Sequence, residues 1–434
     1  MARVIISFLG TGGYTDSKEK SRGKYRSAKY SFNTGKESII YESEFVSEAL
    51  YKHYNADRII YIGTLKSMWE VVYDNSEFNG NAKDDTWEAL AELVESSDYQ
   101  TPLSKENIII DAFSNTIISP IVVKYGLNDD ENEYNIRQLF TIEGLLNIDD
   151  ELYIDISHGF RSLPIVLTNV LTFFIENSKK KISIANISYG MFEVNHEMNG
   201  VTPIVNLNII NELQQNIKAS HEFNEYGNAF LFSEMLEKTN KSMSKILMDF
   251  SYSKGLNHLY DLKSKIQQLK SFKYSGLSKI QEVTIPNIVS SFLYRFEKTK
   301  TDSQFQFEIG KWMFDNKQYG STAIAIIESL ITKVCELEFI DSSIKENRDC
   351  AKTLITLAGR SERNAEKSIS KLKVKKCTKQ ILMHNRHYQE FHKIWGEVNV
   401  IRKSVSHSIS TSLSVTKMVK DVERYLVAAE KLIY

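Results

Sequence analysis

The chain has 434 residues, 42% hydrophobic and 25% charged, with 54 Lys and Arg against 55 Asp and Glu. That is ordinary globular composition with room for two or three domains, and a net charge of −1 excludes a globally basic nucleic-acid binder. Its three scattered cysteines, Cys335, Cys350 and Cys377, exclude a disulfide framework or a Cys-x-x-Cys zinc site and fit a reducing cytoplasm.

The first apolar run, Val4 to Leu9, is too short for a secretory signal. The longest later run, near Ile165 to Ile175, contains Thr168, Asn169 and Thr172 and falls short of the ~20 residues that span a bilayer. A cytoplasmic protein with no membrane partner is expected. Strands are predicted at Arg3–Leu9, Arg58–Gly63, Asn107–Asp111, Leu152–Ile156 and Ile182–Tyr189. Helical patterns fall between them, at Glu42–His53, Thr86–Glu95, Ile136–Leu146 and Leu163–Ile175. This alternation predicts an α/β domain with a mainly parallel sheet. Continuous apolar runs such as Val4–Ile6 and Ile108–Ile110 suit strands covered on both faces. After about Asn208 the periodicity turns helical, as in Phe223–Leu236, Ala323–Phe339 and Val415–Leu432. The expected division is an α/β domain over 1–210, a helical connector over 211–300 and an all-α domain over 301–434.

Two stretches are locally basic. Asp16–Lys36 carries seven Lys/Arg against two acids with tyrosines interleaved, and Arg360–Arg386 carries nine against two. Either can meet phosphates or be a solvated face. Phe8-Leu9-Gly10-Thr11-Gly12-Gly13-Tyr14 follows the first strand, where open α/β sheets bind ligands. Its glycines admit an anion to the backbone, and Thr11 adds a hydroxyl. The spacing is neither a dinucleotide fingerprint nor a Walker A loop, which speaks against a dehydrogenase. Asp155 to Pro164 closes a strand and opens a helix, with Ser162 as expected N-cap and Arg161 placed to hold a phosphate. Asp155, Ser157 and His158 are too close in sequence to converge as a triad, and no Gly-x-Ser-x-Gly elbow is present.

Arg402-Lys403-Ser404-Val405-Ser406-His407 is an Arg-x4-His. The two residue types suit metal-free RNA cleavage: a base assists the 2′-hydroxyl, an acid protonates the leaving 5′-oxygen, and a cation holds the developing charge. A free imidazole titrates near neutrality, which suits His407 to proton transfer, and a guanidinium such as Arg402 suits phosphate stabilisation. On a helix the pair lies about 140° apart, so it converges through irregularity or across a dimer axis. His384, His387 and His392 cluster near Arg386 but lack suitably spaced acidic or thiol ligands apart from Glu390, so no metal is expected. Trp312, Phe314 and Tyr319 read as core.

At these segments the chain resembles the CARF–HEPN ribonucleases, ancillary effectors of type III CRISPR systems of the Csx/Csm type. The resemblance runs through Phe8–Gly12, Phe45–Leu50, Ile62–Thr64, Ser67–Trp69, Asp155–Pro164, Ser188–Gly190, Thr202–Ile204, Tyr319–Leu330 and Ile401–His407. It implies a Rossmann-like N-terminal CARF domain and an all-α C-terminal HEPN domain. It further implies a cyclic oligoadenylate activator, cyclic tetra-adenylate first and cyclic hexa-adenylate second. Gly10, Thr11, Gly12, Ser157, His158, Gly159 and Arg161 would bind it, with the basic stretch as a loop over the ligand. Arg402 and His407 would cleave single-stranded RNA without a metal cofactor, at a composite site of a homodimer or larger oligomer. The family pattern places a polar residue, often Asn, after the Arg; here Lys403 stands there. Two other readings remain open: a sensor that does not cut, and a CARF ring nuclease with the helical half as dimerisation scaffold.

Overall fold

The computed structural model describes residues 1–12, 26–34, 37–373, 375–407 and 414–434, with backbone alone at 33, 34, 37, 376, 377, 406 and 407. The chain divides into two compact units, Met1–Glu212 and Leu213–Tyr434.

The first unit holds strands β1 (Arg3–Leu9), β2 (Ala28–Thr34), β3 (Glu37–Ser43), β4 (Arg58–Gly63), β5 (Ile118–Val122), β6 (Glu151–Asp155), β7 (Ser183–Gly190) and β8 (Val201–Asn206). Its helices are α1 (Val46–Tyr54), α2 (Trp69–Asp74), α3 (Asp84–Ser96), α4 (Glu106–Ala112), α5 (Asp129–Phe140), α6 (Ile142–Leu145) and α7 (Ser162–Asn177). The described strands form one eight-stranded sheet in the order β3-β2-β8-β7-β6-β1-β4-β5. β7, β6, β1, β4 and β5 run parallel, while β8 is antiparallel to β7. β1 explains the layering. Val4, Ile6 and Phe8 enter a core shared with α5 and α7. Ile5 and Leu9 enter the opposite core, with α1 to α4. An uninterrupted apolar strand is what burial on both faces requires.

Two predicted elements of this unit need correction. Asn107–Asp111 is not a strand but part of α4, with Ile109 buried and Ile108 and Ile110 exposed. The strand in that region is β5, which contains Pro120. Among the described residues β5 is a sheet edge and pairs with β4 alone, which is where a missing N–H is tolerated. The basic stretch is likewise not wholly a loop. Residues 28–34 are β2, paired with β3 and β8, with Tyr30 and Phe32 buried. Residues 16–25, 35 and 36 lie outside the described residues.

The second unit is helical among its described residues. α8 (Asn208–Tyr226) leads into it, followed by α9 (Phe230–Leu236), α10 (Lys241–Gly255), α11 (Leu259–Lys270) and α12 (Lys279–Tyr294). Next come α13 (Asp302–Asp315), α14 (Tyr319–Leu337), α15 (Lys345–Ala358), α16 (Glu362–Lys371), α17 (Lys376–Leu382), α18 (Gln389–His407) and α19 (Val415–Ile433). The predicted helix at Phe223–Leu236 breaks at Gly227, which takes a positive φ of 62° with no room for a Cβ against Trp312. α13 feeds both cores of this unit: Phe305, Ile309 and Trp312 pack with α9 to α12, whereas Phe307 packs with α14, α15 and α19. Trp312 is buried against Phe250 and Phe292, as expected for core. No helix among the described residues is long and apolar enough to cross a membrane.

Candidate functional site

After β1 the parallel connections step to β4 and β5; after β6 they step the other way, to β7. The carboxyl ends of β1 and β6 are therefore a topological switch point, where a crevice opens in sheets of this kind. Gly10, Thr11 and Gly12 leave β1 there, and Ser157 to Arg161 leave β6. Gly12 has φ 62° and Gly159 φ 86°. A Cβ on Gly159 would come within 2.9 Å of Phe8, so this position needs glycine for both backbone and space. A Cβ on Gly10 would lie 3.7 Å from His158, which brings the two loops into contact.

A third segment braces the crevice. The Ser67 hydroxyl donates to the Leu9 carbonyl at 2.7 Å and accepts from the Thr64 amide at 3.0 Å. Met68 N–H donates to Gly10 O, and the buried Trp69 indole donates to Thr64 O at 2.8 Å. Gly10, Thr11, Thr64, Ser67, Gly159 and Phe160 line a cavity of about 200 Å³. A neighbouring cavity of about 410 Å³ shares Thr64 and Val123 with it and adds Tyr99, Gln100, Tyr125 and Tyr134. Tyr125 stands 5.1 Å from Phe160, centroid to centroid. Burial, reinforced by Glu106, pushes the Tyr134 phenol up to about 12, so it stays a neutral donor.

Of the expected ligand residues, Gly10, Thr11 and Gly159 line the smaller cavity. Ser157 is otherwise engaged: its hydroxyl donates to buried Asp155 and accepts the Gly190 N–H at 2.7 Å. Asp155 also accepts from Ser7 at 2.7 Å and from the Ser157 amide at 2.9 Å. His158 and Arg161 are exposed. Ser162 does not cap α7: Arg161 is the N-cap residue, in αR conformation, and its side chain makes no capping hydrogen bond. The pocket walls Thr64, Ser67, Phe160, Tyr125 and Tyr134 were missed. Ile62-Gly63-Thr64 and Ser67-Met68-Trp69 carried the available signal, because a polar, glycine-bearing strand end is an unusual exit from an apolar strand.

In the second unit, Arg402 of α18 is exposed and donates to Asn399 at 3.3 Å. It has no carboxylate partner among the described residues. It lines an open groove of about 670 Å³ together with Glu328, Arg348 and the turn Leu256–Tyr260. Arg348 is paired with Glu328 and also donates to Thr332 at 3.1 Å and to the Ser342 carbonyl at 3.3 Å. α18 is helical through His407, so positions 402 and 407 are about 140° apart around its axis. The His407 side chain lies outside the described residues. Of the clustered histidines, His384 hydrogen-bonds Glu338 and His392 the Ile355 carbonyl, each at 3.0 Å. No three potential metal ligands cluster among the described residues. Within Arg360–Arg386, Arg386 pairs with Glu362 at 2.9 Å on an exposed face.

Two family models match the chain. Residues 4–193 match the CARF domain of CRISPR system endoribonuclease Csx1, and residues 212–304 match the second domain of CRISPR-associated protein MJ1674. The MJ1674 protein of Methanocaldococcus jannaschii is 31% identical over 371 residues, covering 82% of this chain and 57% of that protein. The chain thus spans a little over half the length of that relative. With the mostly parallel sheet and its crevice, these matches assign the chain to the CRISPR-associated CARF proteins of the Csx1 type.

Proposed function

We propose that the protein is a cyclic-oligoadenylate-activated, metal-independent endoribonuclease of type III CRISPR defence, its second unit a HEPN domain that cuts single-stranded RNA. The observation that carries this reading is Arg402, exposed in an open groove, in a chain whose first unit belongs to the Csx1 CARF family. The ring phosphates meet backbone amides of the Gly10–Gly12 loop and Arg161, and Thr11 reaches the ring from the cavity wall. Ser157 holds the loop rather than the ligand. Because 402 and 407 diverge on one helix, a homodimer supplies the missing half of each site: Arg402 and His407 of two copies meet at one cleft. There His407 moves the proton and Arg402 stabilises charge on the phosphate. The ring acts by binding one dimer arrangement more tightly than the other.

The test is cleavage of a fluorescent single-stranded RNA in EDTA, with and without cyclic tetra-adenylate, then cyclic hexa-adenylate. Ligand-stimulated cleavage that His407→Ala abolishes is expected. Full stimulated activity in His407→Ala removes the nuclease assignment. Binding of the ring without any cleavage favours a non-cutting sensor.

A further inference from the structure

The groove that holds Arg402 is not built by the helices of its own bundle alone. One wall is the turn between α10 and α11, which contributes Leu256, His258 and Tyr260. Leu256 is 79% exposed and Tyr260 68% exposed, a large apolar surface for a two-helix turn. The His258 Nδ1 accepts the Asp261 N–H at 3.3 Å, so the neutral ring carries its proton on Nε2 and donates there. The two carboxylates in the groove are both neutralised, Glu328 by Arg348 and Asp302 by Lys263. Arg402 is left as the cation without a carboxylate partner among the described residues. A volume of about 670 Å³ admits a nucleotide.

We propose that the α10–α11 turn is the nucleobase subsite of this groove: a single-stranded RNA nucleotide places its phosphate on Arg402 and stacks its base on Tyr260, with His258 Nε2–H donating to the same nucleotide. The proposal rests on the ribonuclease reading for the identity of the ligand. An exposed aromatic ring lining the same groove as a guanidinium without a carboxylate partner is a combination that holds single strands, and stacking tolerates any base. The cation alone would suit any anion; Tyr260 is what selects a base-bearing one.

The test uses the full chain and an uncleavable 2′-O-methyl RNA, with binding read by fluorescence anisotropy. Tyr260→Ala is expected to weaken binding at least about fivefold, and Tyr260→Phe to retain wild-type affinity, since the stacking face is kept. An oligonucleotide of abasic sites should bind wild type and Tyr260→Ala alike. Unchanged affinity in Tyr260→Ala, or a loss in Tyr260→Phe equal to that in Tyr260→Ala, overturns the subsite. Tyr260 is exposed, so both variants should melt with the wild type. The readout is independent of turnover. A wild type that never cleaves RNA defeats the ribonuclease reading, while the anisotropy series still decides the subsite.

Discussion

The Ser157 hydroxyl donates to Asp155 and accepts the Gly190 N–H, tying the end of β6 to the end of β7. Ser157→Ala leaves that amide without its hydroxyl partner and removes one of the two donors to Asp155 Oδ1. It should cost about 1–3 kcal/mol in chemical denaturation of the full chain. Thr11 is exposed on the cavity wall, so Thr11→Ala should change stability by less than about 0.5 kcal/mol while weakening cyclic tetra-adenylate binding. The reverse pattern would exchange their roles. Lys254 offers a pH test. It is buried, donates to the Tyr226 carbonyl, and lies 5.7 Å from the Trp312 ring. Burial lowers its pKa from 10.5 to about 8. The unfolded chain therefore binds this proton more tightly than the folded one, so the cost of burying the charge is fully present below pH 8. Stability from this group rises as pH climbs from about 8 towards 10.5. Melting curves across that range should show wild type gaining on Lys254→Met with rising pH. Parallel curves would place the charge elsewhere.

At the scale of elements, α12 shows a local rule at work. Ser278 Oγ accepts the Gln281 N–H at 3.2 Å, and Gln281 Oε1 accepts the Ser278 N–H at 3.1 Å. Ser278→Ala opens this capping box and should cost about 1 kcal/mol by thermal melting, with ligand binding at the CARF pocket unaffected. The apolar runs of β1, β4 and β6 are legible in sequence because cause and effect sit within a few residues, whereas the cap expected at Ser162 is displaced to Arg161. β5 was not, because Pro120 is acceptable only once β5 is known to be an edge. Ile108–Ile110 misled for the complementary reason: three β-branched residues favour a strand, and tertiary packing of Ile109 alone overrides them. β2 hid within a basic stretch, with Tyr30 and Phe32 alternating with Lys29 and Ser31. The site divides along the same line. Gly10 and Thr11 could be named from the glycine-rich exit of the first strand, and Gly159 from the family resemblance. The engagement of Ser157, and the walls from Thr64, Tyr125 and Tyr260, depend on partners far away in sequence.

For the whole molecule, the proposed ligand pocket belongs to the first unit and the Arg402 groove to the second, so the proposed activation is a coupling free energy between two sites. Thermodynamics then imposes a symmetry that catalysis alone hides. If cyclic tetra-adenylate raises RNA affinity by some factor, RNA must raise cyclic tetra-adenylate affinity by the same factor. His407→Ala makes both measurable, because the RNA survives. The expected factor is about 5–150 in each direction, read by titrating labelled ring with and without saturating RNA, and labelled RNA with and without ring. Unequal factors would mean that a third species, such as a larger oligomer, enters the cycle. Unchanged affinity within each pair of titrations would show that the ring does not act through RNA binding. Activation would then have to lie in how the two copies of Arg402 and His407 are brought together after the substrate is already held. Protein concentration, rather than ligand occupancy alone, would set the rate in that case.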